Sequence, residues 1–268
     1  MGSGVAAAGR LLARGAASVG ESVVAAYRTL DPDLVRHMAQ LPLMGLTQLA
    51  PSRPRNTERL SADGHRAVIF VHGLGGGSGN FLPMQIYFRW RGRTCTYAVS
   101  FASEEGVQQM ADELAAFVRW VTETQGLPGP QSVDLVAHSM GGLVCRAALE
   151  DPEIAACVGR VITLATPHQG TEMARLTQTP RSLDLRPNSP LIARLDQQLP
   201  WARSPGAPEL ISMWSESDVV LMPPESAQVE GATNLRRDGY THYTFLLHPE
   251  SWEQTFDLLH DPPRTPNS

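Results

Sequence analysis

Five short runs rich in β-branched and apolar residues punctuate this chain: AVIFV (67–71), TCTYAVSF (94–101), SVDLVA (132–137), RVITLA (160–165) and ELISMWS (209–215). Between them, Met84 to Trp90, Gly106 to Gln125 and Met140 to Glu150 have helical length and period. Strands that lack polar alternation need cover on both faces, and parallel neighbours need long crossovers, usually helices. The pattern therefore predicts an α/β fold with a mostly parallel central sheet and helices on both faces. A length of 268 residues suits one large domain of this kind.

Charge and residue usage remove several classes of function. The net charge is −5 and the 22 basic residues are scattered, which argues against a nucleic-acid partner. All 22 are Arg, because the chain has no Lys. A phosphate loop ending in Gly-Lys-Ser/Thr, a pyridoxal Schiff base and a Ser-x-x-Lys nucleophile are thereby excluded. Cys95, Cys145 and Cys157 share no metal-ligand spacing and read as small buried thiols, a disulfide between two of them being the alternative. Neither a metal nor a cofactor is expected.

Residues 1–55 read as a helical extension and linker, and residues 56–268 as the main domain. Arg10, Arg14 and Glu21 interrupt the apolar opening segment, leaving neither a signal core nor a membrane span. Ala6 stands where a myristoylation signal wants Ser or Thr. The expectation is a cytoplasmic protein. Two Ala/Leu-rich helices break near Asp31-Pro32, since a residue before proline is pushed out of helical geometry. Leu34, Val35, Met38 and Leu41 share a face of the second helix, expected to pack on its own domain; peripheral contact with a membrane is the alternative. Pro51 to Arg55 reads as the linker.

The chemistry begins at Ala137 to Gly142, AHSMGG, straight after an apolar strand and before a helical run. A serine on a sharp strand-to-helix turn projects its hydroxyl above the sheet, and its neighbours must be small because the backbone folds back close to them. This predicts Ser139 as a nucleophile. The pattern alone is weak: Ala16-Ala17-Ser18-Val19-Gly20 also matches, but no strand precedes it. Val71-His72-Gly73-Leu74-Gly75-Gly76 follows the first strand, and its glycines let main-chain N–H groups turn inward. Leu74 and Met140 are the expected oxyanion donors. A phosphate or dinucleotide loop is the rival, but no Gly-x-Gly-x-x-Gly spacing fits residues 73–79.

A serine hydroxyl needs a base to take its proton, and the base needs an orienting group. Asp218 is the first carboxylate well placed beyond the run at 209–215, with Glu216 as the fallback. Asp184 and Asp196 read as surface charges or helix caps. Of the histidines that follow Asp218, His242 lies at the end of a short polar run and is the expected base; His248 and His260 remain as alternatives.

The blocks VHGLGG, AHSMGG, TLATPHQGT, SESDVVLMPPESA and GATNLRRDGYTHYTFLLHP, in this order, resemble bacterial lipases and esterases of the α/β-hydrolase superfamily, in the triacylglycerol-lipase-like branch. The resemblance runs from about Ala67 to Phe256. It implies the α/β-hydrolase fold, the triad Ser139, Asp218 and His242, and donors at Leu74 and Met140. It further implies hydrolysis of carboxylic esters, of lipids or acylglycerols, through an acyl-enzyme on Ser139. Transfer to another alcohol, phospholipid deacylation and an inactive adaptor are the alternatives. His72, His138 and His168 match positions that are usually structural. Ala137 replaces the first elbow glycine, and the first 50 residues have no counterpart. Residues 171–205 read as a cap insertion that forms an acyl pocket, against a passive helical excursion.

Overall fold

The computed structural model describes residues 31–48, 63–102, 105–127, 129–197 and 206–260. The first expected helix and the linker at 51–55 lie outside the described residues. Helix α1 (Pro32–Gln48) starts where the sequence breaks. Asp31 Oδ1 accepts the N–H groups of Asp33 at 2.7 Å and Leu34 at 3.3 Å, and Pro32 occupies a first-turn position whose N–H has no helical acceptor.

The domain then alternates strand and helix: β1 (Ala67–Val71), α2 (Leu82–Trp90), β2 (Thr96–Ala98), α3 (Val107–Gln125), β3 (Val133–His138), α4 (Gly141–Ala148), α5 (Pro152–Cys157) and β4 (Val158–Leu164). Two short helices, α6 (Pro180–Asp184) and α7 (Pro190–Asp196), precede β5 (Glu209–Trp214). β6 (Thr233–Arg236), α8 (Thr244–Leu247) and α9 (Pro249–His260) follow. Among the described residues the strands form one sheet in the order β2-β1-β3-β4-β5-β6, parallel throughout. The expected α/β architecture is present.

β1 shows why the sheet is covered on both sides. Ala67, Ile69 and Val71 join one core with α3 and α4, whereas Val68 and Phe70 join another with α2 and α9. Successive side chains point to opposite faces, so a strand buried on both has no polar positions to spare. Because all strands run the same way, the loops after β1, β3 and β5 emerge at one edge, where ligands bind in open α/β sheets. All three cysteines are free, two of them buried, so the disulfide alternative does not occur.

Helix α1 packs on the domain through a different face from the one expected. Leu34, Met38 and Leu41 are exposed, and the buried positions are His37 and Met44. Polar contacts select this face: Arg36 Nη1 donates to the Gly239 carbonyl at 3.0 Å, and Gln40 bonds to Thr241 and Thr244. Apolar periodicity alone could not register such contacts.

The segment from Thr171 sits on the face of α3 and α4. Ala174, Leu185, Leu191, Ile192 and Leu195 are buried in that core. Asp184 Oδ2 accepts the Val107 N–H at 2.7 Å, capping α3, and the buried Arg146 donates to the Leu195 carbonyl at 2.7 Å. Asp196 pairs with Arg146 at 3.4 Å. Strand β6 falls in a stretch with no apolar run to announce it.

Candidate active site

Ser139 stands at the C-terminal end of β3 with φ 54°. That left-handed conformation costs a non-glycine residue roughly 1–2 kcal/mol and persists only where surrounding contacts enforce it. Here the Ser139 N–H donates to the Leu164 carbonyl at 2.9 Å. Its own carbonyl accepts from the Gly142 N–H at 3.1 Å and the Thr166 hydroxyl at 2.8 Å. The turn also requires close backbone approach: a Cβ at Gly141 would lie 2.5 Å from the Val71 carbonyl oxygen, and one at Gly73 would lie 2.7 Å from Ser139 Cβ. Ala137, in the first small position, is fully buried and pairs with Val71 and Thr163 in the sheet.

Met140 precedes α4 at its positive dipole end, and Leu74 lies in the loop after β1. Among the described residues, neither N–H is given to an acceptor. The loop at 72–76 is braced by His72, whose Nδ1 donates to the Gly73 carbonyl at 3.0 Å. Burial lowers the His72 pKa below its ordinary value, partly countered by that hydrogen bond, with Arg181 adding to the lowering.

The two remaining members of the expected trio meet. His242 Nδ1 donates to Asp218 Oδ2 at 2.8 Å, and both side chains are buried. The other Asp218 oxygen accepts from the N–H groups of Val220 at 2.9 Å and Leu221 at 3.3 Å, so the carboxylate is fixed by its own turn. With Nδ1 engaged, the remaining ring nitrogen Nε2 is the one able to take a proton. His138 Nε2 donates to the His242 carbonyl at 3.0 Å, and the two rings lie 4.6 Å apart. Burial, reinforced by the neighbouring His242, holds the His138 pKa well below its ordinary value. His138 is therefore a neutral brace.

Ser139 and His242 line one pocket with Met44, Gly73, Leu74, Gly75, Gly76, Asn80, His138 and Tyr243; it encloses about 330 Å³, counting its open mouth. The alternatives fall elsewhere. Glu216 pairs with Arg236 on the surface, His248 is exposed at the end of α8, and His260 packs on Phe256 at the end of α9. His168 bonds to Thr163 Oγ1 at 3.0 Å inside the core. No described residue of 171–205 is among those lining the pocket, whereas Met44 of α1, which sequence reasoning missed, is. Its signal was the spacing of His37, Gln40 and Met44 on one helical face.

Among the described residues no group of His, Cys, Asp or Glu is arranged to hold a metal ion, and no helix is long and apolar enough to cross a membrane.

Comparison with known proteins fits this geometry. The model of the alpha/beta hydrolase family matches residues 68–265. A triacylglycerol lipase of Burkholderia plantarii is 31% identical over 157 residues, which cover 53% of this chain and 41% of that protein. A triacylglycerol lipase of Pseudarthrobacter phenanthrenivorans is 32% identical over 123 residues, 41% of this chain and 36% of that protein. The matches thus span less than half of these curated relatives. Among solved structures, the mature BlEst2 lipase of Bacillus licheniformis superposes with a TM-score of 0.62 at 18% identity, covering 78% of this chain and 96% of that one. Aspergillus fumigatus lipase B gives 0.61 at 21% identity, covering 76% and 54%. At such identities the structures speak to the fold.

Proposed function

Because the chain belongs to the alpha/beta hydrolase family, we propose that it hydrolyses carboxylic esters through an acyl-enzyme on Ser139. The observation that carries this reading is the buried 2.8 Å bond between His242 and Asp218, with the imidazole lining the same pocket as a serine held at positive φ. His242 Nε2 takes the Ser139 proton as the hydroxyl attacks the ester carbonyl. The N–H groups of Leu74 and Met140 receive the oxyanion, and the imidazolium, held by Asp218, gives its proton to the leaving alcohol. Water then repeats the sequence and frees the acid. A lost oxyanion donor costs about 10²- to 10³-fold and general-base help contributes about 10²- to 10⁴-fold, so the two parts must act together.

The preferred class of ester is that of lipids. The pocket is walled by Met44 and Leu74, and Leu34, Met38, Leu41 and Leu74 are exposed on the same two elements. Peripheral contact of this surface with a lipid aggregate would present an acyl ester to Ser139. The curated relatives are lipases, which agrees in class. A series of p-nitrophenyl esters from acetate to palmitate, with emulsified triglyceride in parallel, tests the reading. Turnover that rises with chain length and extends to the emulsion is expected; hydrolysis confined to acetate would remove the lipid class, and none at all would remove the activity.

A further inference from the structure

Helix α1 has no counterpart in the resemblance noted above, yet it reaches the base of the proposed mechanism. His242 sits in a tight turn between Thr241 and Thr244. The turn is closed by two of its own bonds, from the Thr244 N–H to the Thr241 carbonyl at 3.0 Å and from the Thr241 N–H to Thr244 Oγ1 at 3.1 Å. Three side chains of α1 seat on this turn. Arg36 donates to the Gly239 carbonyl just before it, and His37 stacks on Tyr243 with centroids 5.0 Å apart and planes 18° apart. Gln40 takes both threonines at once: Oε1 accepts from Thr241 Oγ1 at 2.7 Å and Nε2 donates to Thr244 Oγ1 at 2.8 Å.

Asp218 fixes which way the imidazole faces, but it does not fix the backbone that carries the ring. That task falls to the turn together with His138, whose Nε2 donates to the His242 carbonyl at 3.0 Å, and Gln40 bridges the two ends of the turn on either side of His242. We propose that Gln40 is a positioning residue for His242, its carboxamide clamping the hydroxyls of Thr241 and Thr244. The proposal rests on the assignment of His242 as the base. A catalytic group displaced by about 1 Å can cost 10²-fold, so a looser turn is felt in the rate while substrate binding is spared.

The test compares Gln40→Met, which keeps length but no hydrogen bond, with Gln40→Glu, whose two oxygens can accept from both threonine hydroxyls. Gln40→Ala replaces the methionine variant if that does not fold. Kinetics on a p-nitrophenyl ester, normalised to titrated active sites, are expected to show about a tenfold fall in kcat at unchanged KM for Gln40→Met. Gln40→Glu is expected to return to within about threefold of wild type. The second readout is the downfield NMR resonance of the His242 Nδ1 proton, expected to broaden in Gln40→Met and to persist in Gln40→Glu. A wild-type kcat and an unchanged resonance in Gln40→Met would overturn the proposal, as would a loss that glutamate does not repair. If the wild-type protein cleaves no ester, the proposed activity fails, and the resonance alone decides whether Gln40 holds the ring.

Discussion

Acidification from about pH 7 to about pH 5.5 is expected to cost the fold about 2 kcal/mol through His138 and His168 alone. Both rings are buried, and burial pushes their pKa values well below the ordinary 6.5; the neighbouring His242 adds to this at His138, and Arg146 at His168. The unfolded chain takes up a proton on each ring as the pH falls through 6.5, while the folded chain does not. The stability these rings contribute is therefore present above that value and lost below it. Over this interval the protonated fraction of an unfolded histidine rises from about a quarter to about nine-tenths, which amounts to about 1 kcal/mol per ring. His37 and His72, also lowered by burial, act in the same direction. Asp134 works the opposite way, because burial raises its carboxyl pKa despite its pairing with Arg66. Urea unfolding at the two pH values measures the difference, and His168→Gln should remove about half of it. Equal stability at both values, or an unchanged difference in His168→Gln, would refute the reasoning.

Three further outcomes follow from the site. Asp218→Asn should fold and bind ester but lose kcat by about 10³- to 10⁴-fold, because an amide no longer selects the ring tautomer with Nδ1–H; steady-state kinetics decide. Gly141→Ala should fail to give soluble folded protein, since its methyl would lie 2.5 Å from a backbone oxygen that cannot withdraw; circular dichroism and expression yield check this. Glu216→Gln should leave kcat/KM within about twofold of wild type, because it removes only a surface ion pair with Arg236.

The parts of this molecule that were readable beforehand are those in which local residue type and spatial role coincide. A buried parallel strand is mostly apolar, so β1, β3, β4 and β5 announce themselves even though β3, β4 and β5 also bury Asp134, Arg160, Thr163 and Ser212. Ser139 is marked by the strand before it and the small residues around it, and Asp218 by being the first carboxylate well placed beyond β5. His242 could be placed by order and position. What escaped depends on contacts between distant segments. β6 is four residues long, with Leu235 its lone apolar side chain, at the edge of the sheet. Helix α1 turns His37, Gln40 and Met44 inward because partners at 239–244 await them, and the apolar row that suggested the opposite face is left outside. The covering of the site was sought at 171–205 because that connection is long; of its described residues, Ala174, Leu185, Leu191, Ile192 and Leu195 are buried in the core beside α3 and α4.

Hydrolysis by this route requires Ser139 to become covalently bonded during the reaction. Incubation with a p-nitrophenyl alkylphosphonate, followed by intact-mass and peptide mass spectrometry, reads this directly. One equivalent of phosphonyl group on the peptide carrying Ser139, with release of p-nitrophenol in parallel and no adduct in Ser139→Ala, is the predicted result. An adduct on another residue, or ester hydrolysis that survives in Ser139→Ala, would contradict it.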